Sequence, residues 1–486
     1  MFNYRAFATQ KLSGLGPKYL PFADVASDDV PLSRLLRLSL FQITVGMALV
    51  LLVGILNRVM IVELSVPATL VAGMLALPLL FAPFRTLIGF KSDVHVSALG
   101  LRRVPYIWKG TLYQFGGFAI MPFALLVLSG YGEAKDAPIW LGYGSAALSF
   151  LLVGAGVHIV QTVGLALATD LVEQEDQPKV VGLMYVMLLL GMVFSALVFG
   201  TLLENYTPGR LIQVIQGAAV ITVTLNMVAM WQQEARSRDR ARAMKAARPM
   251  QFSEAWTSLV QRPGMLRLLI VIGLGTFGYG MADVLLEPYG GQVLGLSVAS
   301  TTKLTALFAL GTLVGFGLAS KVLGQGASPV RYAIIGAAIG MPGFLAIILS
   351  SLSIGIALFL IGTLAIGVGT GLFGHATLTA TIRAAPANQI GLALGAWGAV
   401  QATAAGIGVA LAGIVRDIIV GLGHLTGNAP QTPYNFVFSV EIVFLALALL
   451  ATLPFLTGRN KAPDPSVAET PRMNAPEPHS NPMEVS

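Results

Sequence analysis

The sequence predicts an all-α membrane protein with twelve transmembrane helices in two six-helix halves and both termini on the cytoplasmic side. Three observations carry this reading. Of 486 residues, 55% are hydrophobic and 11% charged, with a mean hydropathy of +0.76, a composition that cannot cover a water-facing surface. Apolar runs of about 20 residues, the length a helix needs to cross hydrocarbon, recur twelve times. Lysine and arginine avoid every second connection, as the positive-inside rule requires.

Taken in order, residues 1–37 are mostly polar, contain Pro17, Pro21 and Pro31, and read as a cytoplasmic segment. The first apolar run is long enough to span and lacks a small-residue cleavage signature, so no removed signal peptide is expected. The N-terminal half, 38–231, holds spans at 38–56, 66–84, 110–128, 141–165, 180–203 and 211–231. Residues 232–267 carry Arg236, Arg238, Arg240, Arg242, Lys245, Arg248, Arg262 and Arg267 and form a basic cytoplasmic linker between the halves. The C-terminal half, 268–457, holds spans at 268–286, 304–320, 332–349, 354–382, 390–414 and 436–456. The tail, 458–486, has six prolines and few apolar residues and is expected to be disordered. With this count the odd-numbered connections hold only Arg58, Lys135, Arg210, Lys303 and Arg416, five of the 30 Lys and Arg residues. One miscounted span would scramble that bias, so it checks the topology independently of hydropathy.

Two echoes link the halves. Leu64-Ser65-Val66 before the second span matches Leu296-Ser297-Val298 before the eighth, and Val181-Gly182-Leu183 at the fifth is similar to Ile390-Gly391-Leu392 at the eleventh. Such tripeptides also arise by chance in Leu- and Gly-rich sequence. Six plus six spans with related halves resembles the plan of the major facilitator superfamily. The connection between spans two and three adds Gly89, Asp93 and the pair Arg102-Arg103, similar to that superfamily's loop signature, which implies a conformational latch. Here Val94 to Leu101 separate the acid from the basic pair, and the plain alternative is a basic loop that obeys the charge rule.

Absences bound the chemistry. With no cysteine, disulfides, iron–sulfur clusters, thiolate zinc sites and a cysteine nucleophile are excluded. There is no Gly-rich phosphate loop, zinc helix motif or catalytic triad, so no enzyme and no metal site are expected. The net charge of +7 is scattered over connections rather than gathered on a face, which argues against a nucleic-acid partner.

Ionisable groups inside hydrocarbon are costly, and each therefore raises a functional question. His158 and Gln161 share one face of the fourth span at i and i+3, and His375 lies in the tenth. A neutral imidazole there can ligate a metal, including the magnesium of a chlorin, pass protons, or hydrogen-bond a backbone carbonyl. Asp283 and Glu287 flank the outer end of the seventh span beside Tyr279 and a Glu287-Pro288-Tyr289-Gly290-Gly291 turn, facing a cavity or sitting at the interface. Glu441 reads as interfacial, and no acidic ladder is legible near the midplane. Small residues at four-residue spacing, such as Thr363, Gly367 and Gly371, suit close helix packing or flat contact with a bulky ligand.

Longer strings are less generic. Leu20-Pro21-Phe22-Ala23-Asp24, Pro31-Leu32-Ser33-Arg34-Leu35-Leu36-Arg37-Leu38-Ser39-Leu40-Phe41-Gln42, Leu56-Asn57-Arg58-Val59-Met60-Ile61-Val62-Glu63-Leu64, Phe81-Ala82-Pro83-Phe84-Arg85 and Arg103-Val104-Pro105-Tyr106-Ile107-Trp108 resemble the PucC/LhaA bacteriochlorophyll delivery family, with weaker matches at Ala168-Thr169-Asp170 and Ile382-Arg383-Ala384-Ala385-Pro386. The resemblance implies an assembly factor for bacterial light-harvesting complexes in the inner or intracytoplasmic photosynthetic membrane. Its implied partners are the antenna α and β polypeptides, and its implied cargo is bacteriochlorophyll, with no tightly bound cofactor. The alternative is a secondary transporter of a small amphipathic or tetrapyrrole-like solute working by alternating access.

Overall fold

The computed structural model describes residues 30–80, 88, 92, 101–130, 134, 136–173, 176–234, 257, 259–351, 355–385, 390–426 and 429–456. Gly89, Asp93, most of the basic linker and the tail beyond 456 lie outside the described residues. Within them the chain is helical, without a strand: α1 (Leu32–Glu63), α2 (Ala68–Leu80), α3 (Val104–Ser129), α4 (Ile139–Asp170), α5 (Gln177–Leu202), α6 (Pro208–Met230), α7 (Met265–Gln292), α8 (Val298–Gly324), α9 (Pro329–Leu349), α10 (Gly355–Ala384), α11 (Ile390–Thr426) and α12 (Thr432–Leu456). Eleven are long and apolar enough to cross a membrane, and α2 is described over 13 residues. This is a multi-pass membrane protein.

Local chemistry sets several boundaries. Thr207 accepts the Arg210 N–H at 3.1 Å and starts α6, and Ser297 accepts the Ser300 N–H at 3.2 Å and starts α8. Gly130, at φ 60°, takes the left-handed conformation that ends α3. Two expectations about boundaries are corrected. Arg58 and Arg416, assigned to connections, lie inside α1 and α11, because both helices run on past their apolar cores. The Glu287 to Gly291 stretch is not a turn but the last part of α7.

Glycine permits the tightest packing. A Cβ on Gly156 of α4 would sit 2.7 Å from the Gln114 nitrogen of α3. A Cβ on Gly311 of α8 would sit 2.6 Å from the Leu364 carbonyl of α10. Gly367 and Gly371 press on the α8 backbone at Phe308 and Thr312, so the small residues of α10 serve helix packing. Within the first half, Asn226 of α6 joins Thr111 of α3 at 2.9 Å and Thr44 of α1 at 2.8 Å, satisfying polar groups that hydrocarbon would leave unpaired.

The halves, α1–α6 and α7–α12, meet along α2 with α11, α5 with α8, and α1 with α7. If the second span corresponds to the eighth and the fifth to the eleventh, the first two contacts are one contact repeated by the pseudo-symmetry. The start of α1 and the end of α12 share one face of the bundle, called here the terminal face; the opposite one is the distal face.

Candidate functional site

Between the halves lies a narrow, mostly apolar cavity. Its walls are Leu49, Leu52 and Val53 of α1, Met74 to Leu79 of α2 in part, Phe150, Gly154, Val157 and His158 of α4, with Asp283 of α7 and Val409 of α11 from the other half. Gly154 is required there, since a Cβ would lie 2.5 Å from the Pro78 ring. His158 and Asp283 are the ionisable lining residues, and the rest of the surface is apolar. Such a wall suits a greasy body that offers one coordinating or hydrogen-bonding centre.

On the distal side of this cavity, polar contacts join the halves. Pro288 has no N–H, so the Val284 carbonyl one turn earlier loses its helical donor. Asn57 of α1, fully buried, supplies a replacement, its Nδ2 donating to Val284 O at 3.0 Å. That rescue is why a proline-glycine stretch stays helical. Next to it, Arg58 donates to the Leu296 carbonyl at 3.1 Å and pairs with Glu63. Glu287 accepts from the Thr305 hydroxyl and lies against Gly54 of α1, where a Cβ would fall 2.7 Å from its Oε1. Around these groups α1 is wound with the wider π-helical pitch, over Val50–Leu56 and Val59–Glu63, a distortion that often marks working positions. Thr69 N–H donates to Asp417 Oδ2 at 2.7 Å, and Lys303 pairs with Glu204 at 2.9 Å, completing the distal seam. Tyr206, in the α5–α6 connection, has its phenol pushed up to about 12, first by burial and then by the Glu63 carboxylate, with Arg58 acting in the opposite direction.

The candidate residues scatter among these features. His158 and Asp283 meet at the cavity, whereas His375 does not line it and instead packs on Phe316 with ring centroids 4.2 Å apart. Gln161 is half-buried one turn on from His158. Tyr279 is buried in the second half, donating to Gly336 O at 2.8 Å, and does not line the cavity. Glu287 belongs to the distal closure. Glu441, expected at the interface, is fully buried in α12; neither carboxyl oxygen has a hydrogen bond of ordinary geometry among the described residues, and Ala282 and Asp283 are its polar neighbours. The seventh and twelfth helices therefore hold buried carboxyl groups that hydropathy placed at the rim, because both helices continue past them. Asn57 was missed altogether, although a proline inside an apolar run signals a carbonyl in need of a donor.

Arg102 and Arg103 are described without their expected acidic partner. Both pair with Asp170 at the end of α4, at 2.9 and 2.6 Å. The Glu234 carboxylate accepts the backbone N–H groups of Arg102, Arg103 and Val104 at 2.8 to 3.2 Å and so caps α3. The basic pair thus ties α3, α4 and the end of α6 together within one half.

A family model described as PUCC protein matches residues 55–460. The chain is 71% identical over 456 residues to Protein PucC of Rhodobacter capsulatus, covering 93% of this chain and 99% of the relative. It is 60% identical over 447 residues to Protein PucC of Cereibacter sphaeroides, covering 92% and 97%. Among solved structures it is similar to a bacterial homolog of the human lysosomal transporter Spinster in an inward-facing, unoccupied conformation, with TM-score 0.61, 14% identity, and 87% and 97% of the two chains covered. That likeness gives the fold, the twelve-helix arrangement of the major facilitator superfamily.

Proposed function

The chain belongs to the PUCC protein family, and from that footing we propose that it is a non-enzymatic assembly factor for bacterial light-harvesting antenna complexes. It delivers or shields bacteriochlorophyll, organises the antenna α and β polypeptides during insertion, or does both, in the bacterial inner or photosynthetic membrane. The observation that carries this reading is the cavity between the halves, apolar except for His158 and Asp283. A chlorin with a long hydrocarbon tail dissolves only in lipid and offers a magnesium that a neutral imidazole can ligate. His158 is accordingly the proposed pigment ligand, with Gln161 beside it; His375, whose ring lies against Phe316, does not line this cavity.

Deleting the gene in a phototroph, and recording membrane absorption alongside total extractable pigment, tests the role. Antenna bands should fall while pigment is still made. Unchanged bands in a strain without a redundant copy would sink the proposal. For the site, His158→Phe lowers the pigment retained by purified protein at unchanged yield, and His375→Phe does not. Equal retention in wild type and His158→Phe removes the ligand assignment.

A second reading, transport of an amphipathic solute by alternating access, draws support from Asp283, Glu287 and Glu441, since carboxyl groups inside a bundle often mark an ion or proton path. Counterflow of a labelled tetrapyrrole-like solute in liposomes, abolished by Asp283→Asn, would favour it.

A further inference from the structure

On the terminal face, away from the central cavity, a second, open groove runs between the start of α1, the start of α3 and the end of α6. Its two ends differ in chemistry. At the rim stand Arg34 and Arg37. Arg34 is held by Gln233, its Nη2 donating to the Gln233 carbonyl at 2.9 Å. The Arg37 guanidinium has no hydrogen bond or ion pair among the described residues, and its Nε is buried. The one acid in the lining, Glu234, is already taken up by three backbone N–H groups of the α3 start. The rim is therefore cationic, with one guanidinium unused.

Below the rim the groove turns apolar. Thr224, Met227 and Val228 of α6, with Trp231 just past its end, recur at i, i+3, i+4 and i+7 and so form one stripe, about 10 Å long at 1.5 Å per residue. Trp231 is 66% exposed, and Trp108 stands on the α3 wall. Two of the five tryptophans in the chain thus face one groove at the end of the spans, where an indole sits best at headgroup depth. A basic rim, paired indoles and a lipid-facing apolar stripe match an amphiphile with an anionic head.

We propose that this groove binds an anionic phospholipid of the adjoining leaflet, with its phosphate on Arg37 and Arg34 and an acyl chain along the α6 stripe between Trp108 and Trp231. A basic recess between helices is the kind of place where acidic headgroups are selected over zwitterionic ones. The site is separate from the cavity that holds His158 and is independent of the role proposed above. The bound lipid would join α1, α3 and α6 at the face where the α3 start is already tied to α4.

The test uses the full chain in neutral detergent, supplied with phosphatidylglycerol or phosphatidylcholine and read by native mass spectrometry and by the unfolding midpoint. Phosphatidylglycerol should be retained preferentially and should raise the midpoint. Arg37→Gln should weaken its retention about fivefold, the effect of about one surface cation, and Lys321→Gln, an exposed cation elsewhere on the same face, should leave it unchanged. Equal retention of both lipids, equal retention by Arg37→Gln and Lys321→Gln, or equal protection by inorganic phosphate alone would overturn the proposal. Should Arg37→Gln fold poorly, brominated phosphatidylglycerol supplies a second reading. It should quench wild-type tryptophan fluorescence more than brominated phosphatidylcholine does, and Trp231→Phe should remove part of that difference. No difference between the two lipids would again overturn it.

Discussion

The two faces of the bundle are held by different kinds of polar contact. At the distal face the bonds cross between halves: Asn57 to Val284, Arg58 to Leu296, Thr69 to Asp417 and Lys303 to Glu204. At the terminal face the ion pairs and caps described here stay within a half, as with Arg103 and Asp170, or Arg34 and Gln233, and in the second half Arg383 with the Leu323 carbonyl. Tyr185 and Phe316 do meet across the halves nearer the terminal face, with centroids 6.2 Å apart, but that is a packing contact. Directional bonds join the halves along the distal seam, while the terminal-face pairs among the described residues stiffen each half.

The largest test of this contrast is Gly54→Val. Its added carbons must displace the Glu287 and Thr305 side chains, so thermal unfolding in detergent should show a loss of about 2–3 kcal/mol from overpacking. The chain has no native cysteine, so a single cysteine at Leu52, in the cavity wall, can report access from either face. In Gly54→Val an impermeant maleimide should react from the distal side; if the wild-type pattern persists, the seam is not the closure. Arg103→Gln, at the other end, should cost about 2 kcal/mol by leaving Asp170 partly unpaired, yet leave cysteine access unchanged. A change in distal access there would contradict the division between faces.

Smaller and sharper is the pair Asn57→Leu and Pro288→Ala. Asn57→Leu orphans the Val284 carbonyl and should cost about 1–2 kcal/mol. Pro288→Ala restores an N–H, so the double variant should recover much of that loss, and a strictly additive cycle would refute the carbonyl-rescue account. The smallest effect belongs to Tyr206. Its neutral phenol is favoured in the fold, so that stabilisation is full below about 10 and is lost as pH rises from about 10 to 12. Tyr206→Phe should flatten the fall in unfolding midpoint over that window; parallel slopes would show that the phenol does not contribute.

Much of the fold is written in local composition. Twelve hydrocarbon-length runs, a cation bias between alternate connections and two tripeptide echoes are properties of short windows, and lipid imposes helices on such windows whatever their neighbours. The candidate site was legible only in its chemistry. His158 and Asp283 stood out as costly groups in apolar spans, but nothing local distinguishes His158, which faces the cavity, from His375, which faces Phe316. Glu441 read as a rim residue because hydropathy measures distance from a span's centre, and only packing against α7 shows that it is enclosed.

The sequence by itself determined that this chain dissolves in a membrane as two sets of six helices and resembles a family of pigment-complex assembly proteins. Tertiary structure alone decided which side chains share the interior space, that Asn57 replaces the donor Pro288 lacks, and that polar bonds join the halves along the distal face. Apolar length sets a helix's depth in lipid, but its rotation and neighbours are chosen by contacts between residues more than 200 positions apart, such as Asn57 and Val284, which no window along the chain contains.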